Sequence, residues 1–462
     1  MKVLSGRSFR LPKPRFSSSV SNMKKIAAHW QILIAIGLAV VVGSTLKNIV
    51  ESVDGGSVYW VDKTIEICKL AGDLFINALK MIIVPLIVSS IIAGIASLSG
   101  FDGFKRLGMK TISFYLLTTL SAVVLGLFIV NTMKPGMVEG KPNAELQEVF
   151  KEQQEANKDI AGRFTDDKQE GAKDWKNIFL RMFPSNIVKA GTDNGSLLGL
   201  LVFSLLFGIA MTQLPKDSMA PLYGFFQGLN DVMIRITQWI MACAPIGIFG
   251  LLTATIFNTG LDIFEHMWLY FITVLIALAL HLFCVLPLIL KFVGKINPIH
   301  HFKSMRNALL TAFSTASSSA TLPVTMRCVQ DNAGVSKKTA SFTLPLGATV
   351  NMDGTALYEC IAVIFVSQVM GFEMDFAAQM LVVISALLTS IGVAGVPSAS
   401  LVAILIIMNN AAIPGADVAI FALFAVDRLL DMSRTAVNVF GDSCAAAVVA
   451  KSEGEELYAK YK

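Results

Sequence analysis

Apolar runs separated by short polar stretches repeat along nearly the whole chain, and many can cross a hydrocarbon core about 30 Å thick. An α-helix rises about 1.5 Å per residue, so a run of about 20 apolar residues suffices for one crossing. The pattern predicts an all-α membrane protein with eight transmembrane helices, at residues 26–46, 65–98, 109–133, 196–215, 219–256, 267–290, 339–370 and 417–450.

Two other apolar segments differ from ordinary spans because helix-breaking or small residues interrupt them. Residues 376–416 carry no charge over roughly twice the length of a span and contain Gly392, Gly395 and Pro397. Residues 307–326 have a serine-rich centre followed by Pro323. Irregular backbone at membrane depth requires surrounding protein or a water-filled cavity. Both segments are therefore predicted to be re-entrant helical hairpins.

Each predicted hairpin precedes a span that carries polar residues near its middle. The first is followed by Asn351, Met352, Asp353, Gly354 and Thr355, and the second by a polar stripe in the last span. The two hairpin–helix units start from opposite sides of the membrane, which is typical of inverted repeats that hold substrate and ions at the midplane. The alternative is that the small residues serve only close helix packing.

The polar stripe of the last span is the strongest indication of function. At about 100° per residue its five members fall within roughly 80° of one another on a helix. They are Asp427, Asp431, Arg434, Asn438 and Asp442. Each charge at the centre of a membrane helix costs on the order of 3 kcal/mol. The stripe therefore predicts a function that is carried out inside the membrane.

Charge is distributed unevenly along a chain that is 54% apolar and 15% charged, with a mean hydropathy of +0.64. Residues 1–25 hold seven basic and no acidic side chains, which predicts a cytoplasmic tail. A signal peptide is disfavoured because the apolar run is too long. After eight predicted crossings the chain returns to the cytoplasmic side, so residues 453–462 are predicted to be a second cytoplasmic tail. Residues 135–176 are highly polar and are predicted to be a mobile extracellular loop that builds no core.

The sequence does not favour an enzyme. The five histidines form no plausible site, the six cysteines lack metal-binding spacing, and the serines at 317–319 have no nearby base. An ion channel is a second alternative, since a polar stripe could line a pore. No nucleic-acid partner is expected.

Several motifs closely resemble the glutamate and aspartate transporter family, the dicarboxylate/amino acid:cation symporters. These motifs are Ser317–Ser318–Ser319 with Leu322–Pro323, the run from Asn351 to Thr355, Gly395–Val396–Pro397, and the run from Asp427 to Asp442. The resemblance implies a homotrimer in the lipid of the cell (inner or plasma) membrane. Residues 26–300 would be mainly a rigid scaffold for trimerisation, and 301–452 a transport core that moves like an elevator together with spans 3 and 6.

The resemblance implies an acidic amino acid as substrate. Arg434 has a planar fork of donors that fits a side-chain carboxylate, and Asp431 would hold the α-ammonium group, which C4-dicarboxylates lack. The alternative for Arg434 is a structural pair with Asp427 or Asp431. The other implied substrate-binding residues are Asn438, Thr355, Thr435, Ser317, Ser318 and Val396.

Co-transported sodium ions are also implied, and sodium as a hard cation requires oxygen ligands. The implied ligands form three groups: Asp442, Asn438, Gly347 and Asn351; then Asp353, Asn351, Thr118 and Thr119, with Tyr115 beside them; then Thr349, Met352, Ser390 and Ile391.

Two departures from the family bear on substrate and ion coupling. Ala316 and Met432 stand where archaeal and mammalian acidic transporters, respectively, carry an arginine, so neither second arginine is present. This leaves potassium counter-transport and substrate affinity open. Glu359 is a carboxyl that protonation could neutralise, and a purely structural glutamate is the alternative.

The sequence therefore predicts a secondary active symporter that imports aspartate or glutamate with sodium, and also with protons if Glu359 is protonated during transport. A proton-coupled C4-dicarboxylate transporter or a neutral amino acid transporter of the same fold is the alternative.

Overall fold

The computed structural model describes residues 28–53, 58–96, 105–148, 150, 183–192, 197–260, 262–392, 399–411, 413 and 416–461. These residues are mostly helical. The helices are α1 Ala28–Glu51, α2 Tyr59–Ala96, α3 Lys105–Met133, α4 Ile187–Thr192, α5 Leu197–Thr212, α6 Lys216–Ala242, α7 Ala244–Thr259, α8 Asp262–Leu280, α9 Leu286–Phe292, α10 Pro298–Thr315, α11 Ser318–Arg327, α12 Lys337–Val350, α13 Asp353–Val369, α14 Phe376–Gly392, α15 Ala399–Asn410 and α16 Ala416–Ser452.

Several helices are long and apolar enough to cross a membrane. Within the described residues these are Trp30–Glu51, Arg106–Met133, Met267–Phe292 and Lys337–Val369, and α6 with α7 adds a fifth if both form one span. A bend of 52° separates α6 from α7, where Pro245 lies in the first turn of α7 and cannot continue the preceding hydrogen-bond ladder. The prediction of a multi-pass helical membrane protein is confirmed, and the count of eight spans stays a prediction.

The helices pack in two groups, and the second group contains a fully buried helix, α13. In the first group, α1 and α2 pack against α7, and α2 also contacts α5 and α6. In the second group, α13 packs against α3 and α16, and α16 contacts α8, α10 and α12. Every residue of α13 is buried. Polar groups on α13 must therefore find their partners within the protein.

Two pairs of short helices occupy the segments predicted as hairpins. α10 and α11 pack together around Ala316, whose φ of 49° is left-handed, and the side chain of Ser317 caps α11. This pair begins at residue 298 rather than 307, because the first turns of α10 are polar and escape an apolar pattern. α14 spans Phe376–Gly392 and packs against α15. The predicted breaking residues Gly395 and Pro397 lie outside the described residues.

The first part of the predicted polar loop is folded. Strands β1 (Met137–Val138) and β2 (Lys141–Pro142) form a short antiparallel pair. Leu146 and Phe150, which follow them, are buried. The amide of Gly136 donates to Oε1 of Gln368 on α13 at 3.1 Å. The prediction that the whole segment builds no core is therefore wrong here, because two apolar side chains suffice to dock it. Residues 151–182 lie outside the described residues.

The segment after α16 folds back over one end of the second helix group. Glu453 accepts hydrogen bonds from Arg106 at 2.9 and 3.1 Å and from Lys110 at 2.5 Å. Glu455 accepts from Ser336 and Thr339 at the start of α12. The start of α3 and the end of α16 thus lie at the same end of the bundle. The predicted even number of crossings between them requires this arrangement.

Glu453→Gln is expected to lower stability in a pH-dependent way. Hydrogen bonds from Arg106 and Lys110 lower the pKa of Glu453 from 4.5 to about 2. The stabilisation is therefore complete above pH 4.5 and is lost as the pH falls through 2. At pH 7 the variant should melt about 1 °C below the wild type, as expected for exposed ion pairs in a long chain.

This difference in melting temperature should shrink as the pH is lowered from 5 towards 2. Glu51→Gln, at an exposed position ending α1, is the matched control and should show no such pH-dependent difference. Equal melting of the Glu453→Gln variant and wild type at pH 7 would contradict a stabilising role for Glu453.

Candidate functional site

The segment predicted as one span over 339–370 is interrupted at its centre. α12 ends at Val350 and α13 begins at Asp353. Between them Asn351 and Met352 are not helical, with φ of −108° for both and ψ of 78° and 63°. The carbonyls and amides at such helix ends lack partners inside their own helix. A buried break therefore requires polar partners from another element, and α16 provides several of them.

Asn438 of α16 caps the first turn of α13. Its Oδ1 accepts hydrogen bonds from the amides of Gly354 at 2.8 Å and Thr355 at 3.3 Å. Its Nδ2 donates to the hydroxyl of Thr355 at 3.0 Å. An amide oxygen satisfies the free amides of a helix N-terminus in this way. Gly354 permits the close approach, because a Cβ there would lie 2.6 Å from the carbonyl oxygen of Arg434.

The predicted polar stripe lies along α16, and all five members are buried. At its centre, Nη1 of Arg434 donates to Oδ1 of Asp427 at 2.9 Å and Nη2 to Oδ1 of Asp431 at 2.8 Å. The guanidinium also lies over the ring of Tyr358, 4.2 Å from its centroid. Arg434 thus pairs with both aspartates, which is the structural pairing that the sequence left as an alternative to substrate binding.

Arg434, Asp427 and Asp431 form the core of a charged cluster. Two further members of this cluster are not predicted from the sequence pattern. The hydroxyl of Tyr358 donates to Oδ1 of Asp427 at 3.1 Å. Nη1 of Arg428 lies 3.6 Å from Oδ2 of Asp431. Arg428 falls outside the stripe on a helical projection, but a long side chain can reach the neighbouring face of its helix. The sequence signal that could have identified Arg428 is a charged residue within the apolar part of the last span.

A second, oxygen-rich cluster lies further along α16 and includes Asn351 in the break itself. Oδ1 of Asp442 accepts from Nδ2 of Asn351 at 3.0 Å, and Oδ1 of Asn351 accepts from the hydroxyl of Thr118 at 3.1 Å. The hydroxyl of Thr119 donates to Oδ1 of Asp353 at 2.8 Å. The structure therefore brings together five residues that the resemblance assigns to sodium binding.

Two glycines make room for the carboxylates of this cluster. A Cβ at Gly347 would overlap Oδ1 of Asp442 and lie 2.7 Å from the hydroxyl of Tyr115. A Cβ at Gly441 would lie 2.7 Å from Oδ2 of Asp353. Both carboxylates thus sit directly against backbone. A larger residue at either glycine would have to displace an oxygen that could bind a cation.

His281 is a further member that the sequence pattern does not predict. It begins a π-helical segment, His281–Val285, between α8 and α9, and its Nε2 lies 3.5 Å from Oδ2 of Asp353. Neither nitrogen of this buried ring nor that oxygen has a hydrogen-bond partner among the described residues. A lone ionisable residue inside an apolar span is the signal that could have identified it.

The third implied ion site is only partly assembled from side chains. α12 and α14 pack together, but the hydroxyls of Thr349 and Ser390 each donate to the preceding turn of their own helix. Met352 is buried beside Ala403, and Ile391 lies at the end of α14. Backbone carbonyls would therefore have to supply most ligands of a cation here.

Two of the remaining predicted substrate residues lie at the start of α11, and one lies on α16. Ser317 accepts from the amide of Ala320 at 3.2 Å, and Ser318 is buried in the first turn of α11, which packs against α16. The hydroxyl of Thr435 donates to the carbonyl of Asp431 at 2.7 Å. Val396 lies outside the described residues.

Glu359 is buried on α13 and links it to α14. Its Oε2 accepts a hydrogen bond from the hydroxyl of Thr389 at 2.7 Å. Its Oε1 has no hydrogen-bond partner in the described part of the chain. The sequence-based alternatives of a proton carrier and a structural glutamate both fit this geometry.

Comparisons with known proteins identify the family. The model of the sodium:dicarboxylate symporter family matches residues 28–452. Over 420 residues, the chain is 35% identical to excitatory amino acid transporter 3 of Homo sapiens, covering 84% of this chain and 79% of the relative. Over 433 residues, it is 32% identical to the proton/sodium-glutamate symport protein of Geobacillus stearothermophilus, covering 94% of this chain and 96% of the relative.

A third relative widens the range of substrates in these names. It is the neutral amino acid transporter B(0) of Oryctolagus cuniculus, 32% identical over 446 residues that cover 90% of this chain and 80% of the relative. The family and these relatives are transporters and not enzymes. With a matching family model over nearly its whole length, the chain belongs to the sodium:dicarboxylate symporter family.

Proposed function

We propose that the protein is a secondary active symporter that imports aspartate or glutamate together with sodium ions. The observation that carries the proposal is that two buried clusters, one of paired charges and one rich in oxygen, meet at the same break between α12 and α13. Asn438 and Asn351 connect this break to α16. Two ligands are coupled when both bias one common structural element. The break is such an element.

In this proposal the charged cluster binds an acidic amino acid. Arg434 exchanges its bond to one aspartate for a bidentate contact with the side-chain carboxylate of the substrate. Asp431 turns to the α-ammonium group, and Asn438 with the backbone at Ser318 receives the α-carboxylate. Each buried charge then keeps a partner before and after binding, which avoids the cost of an unpaired buried ion. Thr355, Thr435, Ser317 and Val396 complete the site.

Sodium ions bind to the oxygen-rich cluster as cargo. Asp353 and Asp442 are 0% and 3% exposed. No lysine or arginine forms an ion pair with either carboxylate in the described part of the chain. Buried carboxylates without a counter-charge are costly, and a hard cation with oxygen ligands removes that cost. The further proposed ligands are Asn438, Asn351, Gly347, Tyr115, Thr118 and Thr119, with Thr349, Met352, Ser390 and Ile391 at a third site.

Glu359 is the proposed carrier of a co-transported proton. Protonation would give its unpartnered Oε1 a hydrogen to donate and would remove a charge from α13, which is buried throughout. The name of the Geobacillus relative includes a proton as well as sodium.

A neutral amino acid transporter or a proton-coupled C4-dicarboxylate transporter is the second candidate. The rabbit relative named for neutral amino acids resembles this chain about as closely as the glutamate symporter does. Asp431 favours an amino acid over a C4-dicarboxylate because its carboxylate suits an ammonium group.

The packing of the helices fits an elevator movement. In this proposal α1, α2 and α5–α7 form the scaffold, and α3 and α8–α16 move past it. A cavity of about 290 Å³ lies between α2, α6 and α12, lined by Ser90, Asn230 and Thr349 among others. The two groups are therefore incompletely packed against each other at that boundary, which favours such a movement. The helix pairs α10–α11 and α14–α15 are re-entrant gates, both termini are cytoplasmic, and three copies associate through their scaffolds in the cell membrane.

Purified protein in liposomes is expected to accumulate labelled aspartate or glutamate only under an inward sodium gradient, because substrate and sodium stabilise the same break. The matched control replaces external sodium by choline at equal ionic strength. Uptake that is unchanged by the removal of sodium would contradict the proposed coupling. A steady current without substrate would favour a channel.

Gly347→Ala tests the oxygen-rich cluster. The added methyl group would displace Asp442 or Tyr115. We expect the sodium concentration for half-maximal uptake to rise about tenfold, which corresponds to about 1.4 kcal/mol. The melting temperature should also fall, since overpacking costs about 1–3 kcal/mol.

Gly37→Ala in α1 is the matched control, because nothing lies within 4 Å of the Cβ that it adds. This variant should leave the sodium requirement unchanged and should not lower the melting temperature, since alanine favours a helix over glycine. A normal sodium requirement in the folded Gly347→Ala variant would contradict an ion site at the point where Gly347, Asp442 and Tyr115 meet.

A further inference from the structure

Arg428 is a buried charge that the proposed function leaves unused. Its side chain is 6% exposed, and its Nη1 lies 3.6 Å from Oδ2 of Asp431, near enough for an ion pair but too far for a hydrogen bond. Its Nε and Nη1 have no hydrogen-bond partner among the residues that the structure describes. Burying a guanidinium with unused donors is costly. The unused donors therefore indicate that the hydrogen-bond partner of Arg428 is a bound ligand and not another side chain of the protein.

The charges around Arg428 are balanced only because Arg428 is present. Asp427, Arg428, Asp431 and Arg434 bring two negative and two positive charges to one buried cluster. Without Arg428, one arginine would face two aspartates, and these residues would carry a net negative charge. Met432, the next residue after Asp431, is uncharged. Arg428 therefore determines whether the cluster tolerates or repels an anion.

The balance of charge in this cluster matters because the candidate substrates differ from each other by one net charge. An acidic amino acid has two carboxylates and one ammonium group, so it carries one net negative charge. A neutral amino acid is a zwitterion with no net charge. Away from bulk water, a single charge acts strongly over several ångströms. Adding or removing one positive charge should therefore discriminate between these two substrate classes.

We propose that Arg428 is a specificity-determining residue that makes the charged cluster electroneutral and offers its Nε–H and Nη1–H to a carboxylate of the substrate. It thereby favours an anionic amino acid over a zwitterionic one. This inference rests on the proposed function, in which the cluster around Arg434 binds an amino acid.

The test is uptake of labelled L-aspartate into proteoliposomes at saturating sodium, with unlabelled L-serine as competitor. Arg428→Gln should raise the KM for aspartate about tenfold, which equals about 1.4 kcal/mol. The inhibition constant of serine should change less than about threefold. Arg428→Lys keeps the charge but loses the fork of donors, so the KM for aspartate should rise by about threefold, between the values of the wild type and Arg428→Gln. Arg434→Gln, the positive control, should lose aspartate uptake.

A KM for aspartate within about twofold of wild type in Arg428→Gln would overturn the inference. Equal weakening of aspartate and serine would also overturn it, because a purely structural role would affect both substrates. If the glutamine variant does not fold, the lysine variant decides: a tenfold rise in the KM for aspartate refutes the role of the charge. Failure of the wild type to take up aspartate with sodium would instead refute the proposed function.

Discussion

A helix break buried inside a protein must be satisfied by another element, and here α16 satisfies the break between α12 and α13. Asn438 caps the first amides of α13, and Asn351 within the break donates to Asp442. Gly354 lets α13 approach the backbone of α16 at Arg434. The geometry of the break and the polar face of α16 therefore depend on each other. In the proposed function, a shift at one cluster is transmitted to the other through this break.

The electrostatics of α16 change along its length. Its first half holds Asp427, Arg428, Asp431 and Arg434, which are formally neutral together. Its second half brings Asp442 near Asp353, two buried carboxylates for which the described residues supply no paired lysine or arginine. One half thus suits an organic ion whose charges are exchanged against built-in partners, and the other suits small cations. In the proposed function, this division separates substrate from sodium on a single helix.

Much of the site is predictable from sequence because helical periodicity is strict. The stripe from Asp427 to Asp442 lies on α16 as predicted, and Thr118 and Thr119 meet Asn351 and Asp353. The contact of the two threonines follows from the family resemblance, since a Thr–Thr pair alone gives little indication of an ion site. α14 ends at Gly392, one of the residues at which the sequence predicts a break, since glycine favours helix ends.

Other features depend on tertiary contacts that no local pattern contains. Arg428 reaches Asp431 only because its long side chain crosses to the neighbouring face of the helix. His281 gains significance from its approach to Asp353, more than 70 residues away in sequence. The folded start of the polar loop depends on Leu146 and Phe150 finding a buried surface. The most direct test of coupling through the break is the equilibrium affinity of purified protein for L-aspartate, measured calorimetrically across a range of sodium concentrations at constant ionic strength. Coupling predicts that Kd falls about tenfold or more for each tenfold rise in sodium, and a Kd independent of sodium would contradict it.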